Sequence, residues 1–115
     1  MRSDIDSIFK QVWVDISNIE EDKFMGAFGL HTLAREDSPL FGIYTKSMMD
    51  NMGWPEDTAQ MSSHVYARDM IFAVNTFMIT KLMEDKESIM RCVRERILIQ
   101  RESMLRTMGL NPGPR

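Results

Sequence analysis

The sequence contains no glycine or proline between Pro55 and Gly109. These two residue types most often end or interrupt a helix, so residues 56–108 favour helix throughout. The pattern predicts one continuous helix of about fifty residues, roughly 75 Å long at about 1.5 Å per residue. The alternative is a tight reversal at residues 84–87, where Asp85 can cap a second helix and give an antiparallel hairpin. The lack of turn residues favours the continuous helix.

The central part of this run, Thr58–Met83, is predicted to be the core helix. Its apolar stripe, at about 100° per residue, comprises Met61, Val65, Ile71, Phe72, Met78, Ile79 and Leu82. His64, Arg68 and Asn75 fall on the same face, within about 40° of one another. These side chains predict either a pocket for an anion or small polar ligand, or a polar line that fixes the register of a helix pair. The register interpretation is favoured, and it requires a carboxylate partner for a buried arginine.

Three shorter helices are predicted before the central one. The first begins with Ser3 as its N-cap, and the third has Ser38 as N-cap, Pro39 in its first turn and Gly53 after its end. The second, over residues 23–35, is weaker because two glycines lower its helix propensity. The predicted buried residues of the first and third helices are Ile5, Ile8, Phe9, Val12, Ile16, Ile19, Leu40, Phe41, Tyr44, Met48 and Met52.

The last helical segment has two faces. One is the apolar stripe of Ile89, Met90, Val93, Ile97, Met104 and Met108. The other carries two leucines seven residues apart beside three arginines, namely Leu98, Leu105, Arg91, Arg94 and Arg101. Arginine is enriched at interfaces and binds carboxylates through two hydrogen bonds, so this face predicts a partner-binding surface. Trp13, which lies off the stripe of the first helix, is a further predicted partner-binding residue.

The boundaries indicate one domain. Gly109 and Leu110 predict a Schellman motif at the end of the last helix, and residues 111–115 form a flexible tail that contains two prolines. We therefore expect an all-α domain over residues 1–110, a small bundle of four to five helices with a long C-terminal helix or helix pair. Because a fifty-residue helix would outrun such a domain, the pattern also predicts a homodimer along it.

Charge is distributed unevenly along the chain. Residues 1–85 carry 14 acidic and 7 basic side chains, whereas residues 86–115 carry 3 acidic and 7 basic ones. The favoured interpretation is that the two parts attract each other, within one chain or across a dimer. The alternative is a basic arm for an acidic partner, including nucleic acid. Nucleic acid is not favoured, because glutamates lie among the arginines and the pI is about 5.3.

Several functional classes have no support in the sequence. It has no motif for catalysis, for a cofactor or for a metal, and its one cysteine, Cys92, fits a reducing compartment. Neither a signal peptide nor an apolar run long enough for a membrane span is recognised, so the expected location is the cytoplasm. The 12 methionines either fill the core or form an adaptable binding surface, and core filling is the simpler interpretation.

By elimination, the sequence predicts a non-enzymatic regulatory, adaptor or assembly protein that binds another protein and forms a homodimer. One alternative is a nucleic-acid-binding regulator that uses the arginine-rich last helix. The other is a sensor of a small ligand or anion that uses the line of His64, Arg68 and Asn75.

Overall fold

A computed structural model describes residues 1–32 and 38–113. These residues form five α-helices and no β-strand, which confirms the predicted all-α class. The helices are α1 (Arg2–Ser17), α2 (Glu21–Phe24), α3 (Pro39–Met52), α4 (Glu56–Lys81) and α5 (Lys86–Thr107), and two 3-10 turns, Gly26–Phe28 and Leu30–Thr32, follow α2. The predicted helix end at residues 33–35, the acidic pair before Ser38, and residues 114–115 of the predicted tail lie outside the described residues.

The four long helices pack as a ring, in which α1 and α4 each contact both α3 and α5. α1 and α5 are antiparallel, because Arg2 at the start of α1 donates to the carbonyl of Asn111, just beyond the end of α5. α4 and α5 are also antiparallel, since Cys92 near the start of α5 donates to the carbonyl of Ala73 in the second half of α4. At the centre of the four helices, the aromatic side chains of Phe9 and Tyr66 pack edge to face, with their ring centroids 5.9 Å apart.

The continuous fifty-residue helix is wrong, and the hairpin alternative is correct. α4 ends at Lys81, and Leu82 adopts the left-handed conformation with φ 54° and ψ 40°. Asp85 then caps α5, with its carboxylate accepting a hydrogen bond of 2.9 Å from the backbone N–H of Ser88. A left-handed leucine costs about 1–2 kcal/mol relative to the right-handed conformation, so packing of the two antiparallel helices must supply more than this.

The buried face of α4 is not the predicted stripe. The side chains that face the core are Ala59, Ser63, Ala67, Met70, Ile71 and Val74. Of the predicted stripe, only Ile71 is buried; Met61, Val65, Phe72, Ile79 and Leu82 are exposed and Met78 is half-buried. The physical reason is that α4 is apolar on more than one side, and the small residues are those that let the neighbouring helices approach closely.

The other apolar stripes are confirmed. Every predicted core residue of α1, α3 and α5 is buried or packs against the core. Ser38 caps α3 through a 3.1 Å bond from the N–H of Leu40, and Gly53 is left-handed after its end. The Schellman motif is also present: the N–H groups of Gly109 and Leu110 donate to the carbonyls of Arg106 and Leu105 at 2.9 and 2.8 Å.

Two boundaries differ from the prediction. α1 begins at Arg2, with Met1 rather than Ser3 in the N-cap position. In its described part, residues 23–32, the weak second helix is replaced by the end of the four-residue α2 and two 3-10 turns, because the glycines there do not sustain an α-helix. The side-chain amide of Asn75 donates to the carbonyl of Phe28, which fastens the first of these turns to α4.

A polar network joins α3, α4 and α5 within the bundle. The Tyr44 hydroxyl donates to Oε1 of Gln100 at 2.5 Å, and the amide of Gln100 donates to Asp69 at 2.8 Å. Arg96 forms two further hydrogen bonds to the Asp69 carboxylate, at 2.8 and 2.5 Å. Burial raises the pKa of Tyr44. Partial burial would also raise the pKa of Asp69, but the bonds from Arg96 and Gln100 outweigh it and lower that pKa.

Candidate protein-binding groove between α1 and α5

An open groove of about 460 Å³ lies between α1 and α5. Its lining comprises Asp6, Phe9, Lys10 and Trp13 from α1, and Arg94, Ile97, Leu98 and Arg101 from α5. The four residues from each helix follow the same spacing of i, i+3, i+4 and i+7, which places them on one side of their helix. The antiparallel packing of the two helices turns these two sides toward each other.

The floor and walls of the groove are apolar. Phe9 and Ile97 are buried core residues and form the floor. Trp13 is half-buried, and Leu98 remains 40% exposed, so both keep apolar surface available above that floor. Trp13 packs against the core while remaining partly uncovered, and such a tryptophan is a frequent anchor at protein interfaces.

The charged residues of the groove are mainly basic. Nε of Arg101 donates to Oδ1 of Asp6 at 2.5 Å, which joins α1 to α5. Lys10 and Arg94 are exposed, and within residues 1–32 and 38–113 neither forms an ion pair. After the pairing of Asp6 with Arg101, two positive charges therefore remain beside the apolar floor.

The structure brings together four of the predicted partner-binding residues, Trp13, Arg94, Leu98 and Arg101. Arg91 does not line this groove, and its guanidinium donates to the Ser88 hydroxyl at 3.1 Å. The predicted exposure of Leu105 is wrong, because its side chain is fully buried. In a Schellman motif, the apolar residue after the glycine usually packs against the residue five positions before it. Here these residues are Leu110, which packs against the core, and Leu105.

The line of His64, Arg68 and Asn75 does not face the core as a group. The His64 ring packs against the Phe41 ring, with their centroids 5.3 Å apart. Asn75 is half-buried, and its amide donates a hydrogen bond to the carbonyl of Phe28. Arg68 is exposed, so the expectation of a buried arginine is wrong. The roles predicted for this line, ligand binding or helix register, stay predictions.

Sequence reasoning missed half of the groove. Phe9 and Ile97 were placed in the core, where they do lie, but their second role as the groove floor depends on which helices pack together. Asp6 and Lys10 were not predicted to be site residues. One signal in the sequence could have identified the groove. In each of the two helices, the four lining residues follow the spacing i, i+3, i+4 and i+7, which places them on one side of the helix.

The described residues offer little to covalent or metal chemistry. Burial raises the pKa of the Cys92 thiol more than the nearby Arg96 lowers it, and the thiol donates to the carbonyl of Ala73 at 3.8 Å. Within the described residues, no group of three or more His, Cys, Asp or Glu side chains is arranged to hold a metal ion. None of the helices described is both long and apolar enough to cross a membrane.

Comparison with protein-family models, with curated proteins and with solved structures gave no match to this chain.

Proposed function

We propose that this chain is a non-enzymatic regulatory, adaptor or assembly protein of the cytoplasm that binds another protein through the α1–α5 groove and functions as a homodimer. The observation that supports the binding role is the composition of the groove. Exposed surface of Trp13 and Leu98 lies over the buried Phe9 and Ile97, beside Lys10 and Arg94, which form no ion pair within the described residues. This combination of an apolar centre and a charged rim is typical of protein interfaces.

The shape of the groove suits a helix as the bound segment. Two packed helices leave between them a channel into which the side-chain ridge of a third helix fits. An amphipathic helix would place apolar residues against Trp13 and Leu98. Its acidic residues would lie beside Lys10 and Arg94, where arginine offers two parallel hydrogen bonds to a carboxylate. The proposed partner segment is therefore an amphipathic helix with acidic residues flanking its apolar face.

The charge pattern supports a protein partner over nucleic acid. Three of the arginines of α5 are paired within the chain: Arg96 with Asp69, Arg101 with Asp6 and Arg106 with Glu102. The first two of these pairs also support the predicted attraction between the acidic and basic parts of the chain. Few cations thus remain on α5 for a phosphate backbone, whose binding depends on several neutralised charges.

The test is affinity purification from the native cell with three baits: the wild-type protein, Leu98→Glu, and Val14→Glu. Leu98 is 40% exposed in the groove, and Val14 is 44% exposed on α1 outside it, so both substitutions add the same charge at a similarly accessible position. We expect the Leu98→Glu bait to lose at least about tenfold of a captured protein, since a carboxylate would face the apolar segment, and Val14→Glu to retain it. Equal capture by all three baits would contradict binding through the groove.

A reversed-charge experiment then tests the chemistry of the partner. Arg94→Glu should weaken the purified complex, and raising the salt concentration should weaken the wild-type complex more than the Arg94→Glu complex. If the affinity does not respond to either change, the acidic character assigned to the partner is wrong.

A further inference from the structure

The outer face of α4 carries a row of exposed apolar side chains. Met61, Val65, Phe72 and Ile79 are 75%, 67%, 53% and 70% exposed, respectively. On a helix these four positions fall within about 40° of one another. We call them the α4 seam. They were predicted to face the core, and the bundle instead leaves them uncovered.

The spacing of the α4 seam is that of a helix-pairing stripe. Its members are separated by four, seven and seven residues, and a seven-residue repeat keeps a stripe facing a second helix along its length. β-branched Val65 and Ile79 recur on the same repeat as Phe72. Arg68 falls between Val65 and Phe72 and is exposed. Its aliphatic stem can lie along such a seam while the guanidinium reaches the rim.

The area of the seam approaches what a stable interface requires. The exposed parts of the four side chains amount to roughly 500 Å², whereas a standard interface buries about 800 Å² on each partner, including its polar rim. An uncovered apolar row of this size lies at the upper end of what a single protein usually shows to solvent. α4 has 26 residues, or about 39 Å of helix, so the contact can extend over several turns.

The ends of α4 favour an antiparallel arrangement through the helix dipoles. Glu56 and Asp57 are exposed in its first turn, and Lys81 is exposed in its last. Glu56 and Lys81 lie on the side of α4 away from the seam, so these charges do not pair across it. Two antiparallel helices do oppose their dipoles, and opposed dipoles attract. A second copy of this chain matches the apolar row, and a two-fold axis between the copies gives the antiparallel arrangement.

We propose that the α4 seam is a homodimer interface, in which it packs antiparallel on the α4 seam of a second copy. This proposal deepens the homodimer part of the proposed function by locating the interface. It does not depend on the α1–α5 groove, because α4 packs against α3 and α5 and the groove opens between α5 and α1.

The test is sedimentation equilibrium of the full chain from about 1 to 100 μM, which covers the weak end of the affinities that interfaces of standard size show. The wild type should dimerise. The double variant Val65→Glu with Phe72→Glu should dimerise at least about 100-fold more weakly, because four buried carboxylates would face an apolar surface. Val14→Glu, exposed on α1, is the matched control and should dimerise like the wild type.

Circular dichroism at the lowest concentration verifies that each variant is folded, which we expect because both replaced side chains are more than half exposed. A wild-type protein that remains monomeric at 100 μM would overturn the proposal. So would a double variant that is folded and dimerises as tightly as the wild type.

The outcomes separate this proposal from the groove. Loss of the captured protein in Leu98→Glu without loss of the dimer supports the groove alone. A dimer that the seam variants dissociate while no protein is captured supports the seam alone.

Discussion

At the scale of single residues, Asp69 is the residue on which the polar network of the bundle depends. Its carboxylate accepts hydrogen bonds from Arg96 and from Gln100, and Gln100 in turn accepts from the buried Tyr44. Both carboxylate oxygens of Asp69 accept hydrogen bonds, three in all. A protonated carboxyl would present a donor to one of these donors, so the pattern is satisfied only while Asp69 is ionised. The network therefore makes stability depend on pH.

The sign of this dependence follows from the lowered pKa of Asp69. An acid whose pKa is lower in the folded state stabilises it above the unfolded value, about 3.9 for Asp. That stabilisation is lost as the pH falls from there through the folded value. We expect Asp69→Asn to lower the free energy of unfolding at pH 7 by about 1–2 kcal/mol, allowing for partial exposure of the pair, and by less below pH 4.

Urea denaturation at pH 7 and at pH 3 measures this difference. Glu95→Gln, an exposed acid on α5, is the control and should change stability by less than about 0.5 kcal/mol at either pH. If the difference between Asp69→Asn and the wild type were the same at both pH values, the ionised carboxylate would not be the group that the network stabilises.

At the scale of secondary structure, α4 shows where periodicity misleads. Large apolar side chains lie on two sides of this helix, and the sequence does not say which side the bundle covers. The structure buries the side that carries Ala59, Ser63 and Ala67. The core stripes of α1 and α5 were predicted correctly because charged residues occupy most of their other sides.

Two methionines of α4 test this assignment directly. Met70 is fully buried and Met61 is 75% exposed, so the same substitution probes opposite sides of one helix. Met70→Ala should lower the free energy of unfolding by about 2–5 kcal/mol through lost burial and a cavity. Met61→Ala should change it by less than about 0.5 kcal/mol. Chemical denaturation at a concentration where the chain is monomeric measures both free energies. A larger loss in Met61→Ala than in Met70→Ala would mean that the apolar stripe predicted from the sequence faces the core.

The end of α4 shows a second limit of sequence reasoning. Leu82 adopts the left-handed conformation, in which glycine or asparagine is the usual residue. Neither residue type occurs at this position, so the sequence did not indicate that α4 ends there. Asp85 was the one available signal, and as an N-cap it does begin α5. The continuous helix was the simpler prediction. It would separate α5 from α1 and α3, and this loss of packing is a tertiary effect that the local sequence does not show.

At the scale of the whole molecule, the groove depends on a contact between the two ends of the chain. Trp13, Arg94, Leu98 and Arg101 were identified from the sequence one helix at a time. Their convergence required α1 and α5 to be neighbours in the ring, which periodicity does not reveal. The ion pair of Asp6 with Arg101 joins the acidic and basic parts of the chain at this contact, which is what the uneven charge distribution indicated.

The ring also separates the two proposed interfaces, because α5 lies between the groove and α4, and a helix with its side chains is about 10 Å across. Energetic effects at sites separated by this distance usually add. We therefore expect Leu98→Glu to leave the dimer dissociation constant within about twofold of the wild-type value. The variant that combines it with Val65→Glu and Phe72→Glu should show a change in unfolding free energy equal to the sum of its parts, within about 0.5 kcal/mol. Sedimentation equilibrium and urea denaturation measure the two quantities. A Leu98→Glu protein that fails to dimerise would mean that the two surfaces form one interface, with α5 as part of the contact between copies.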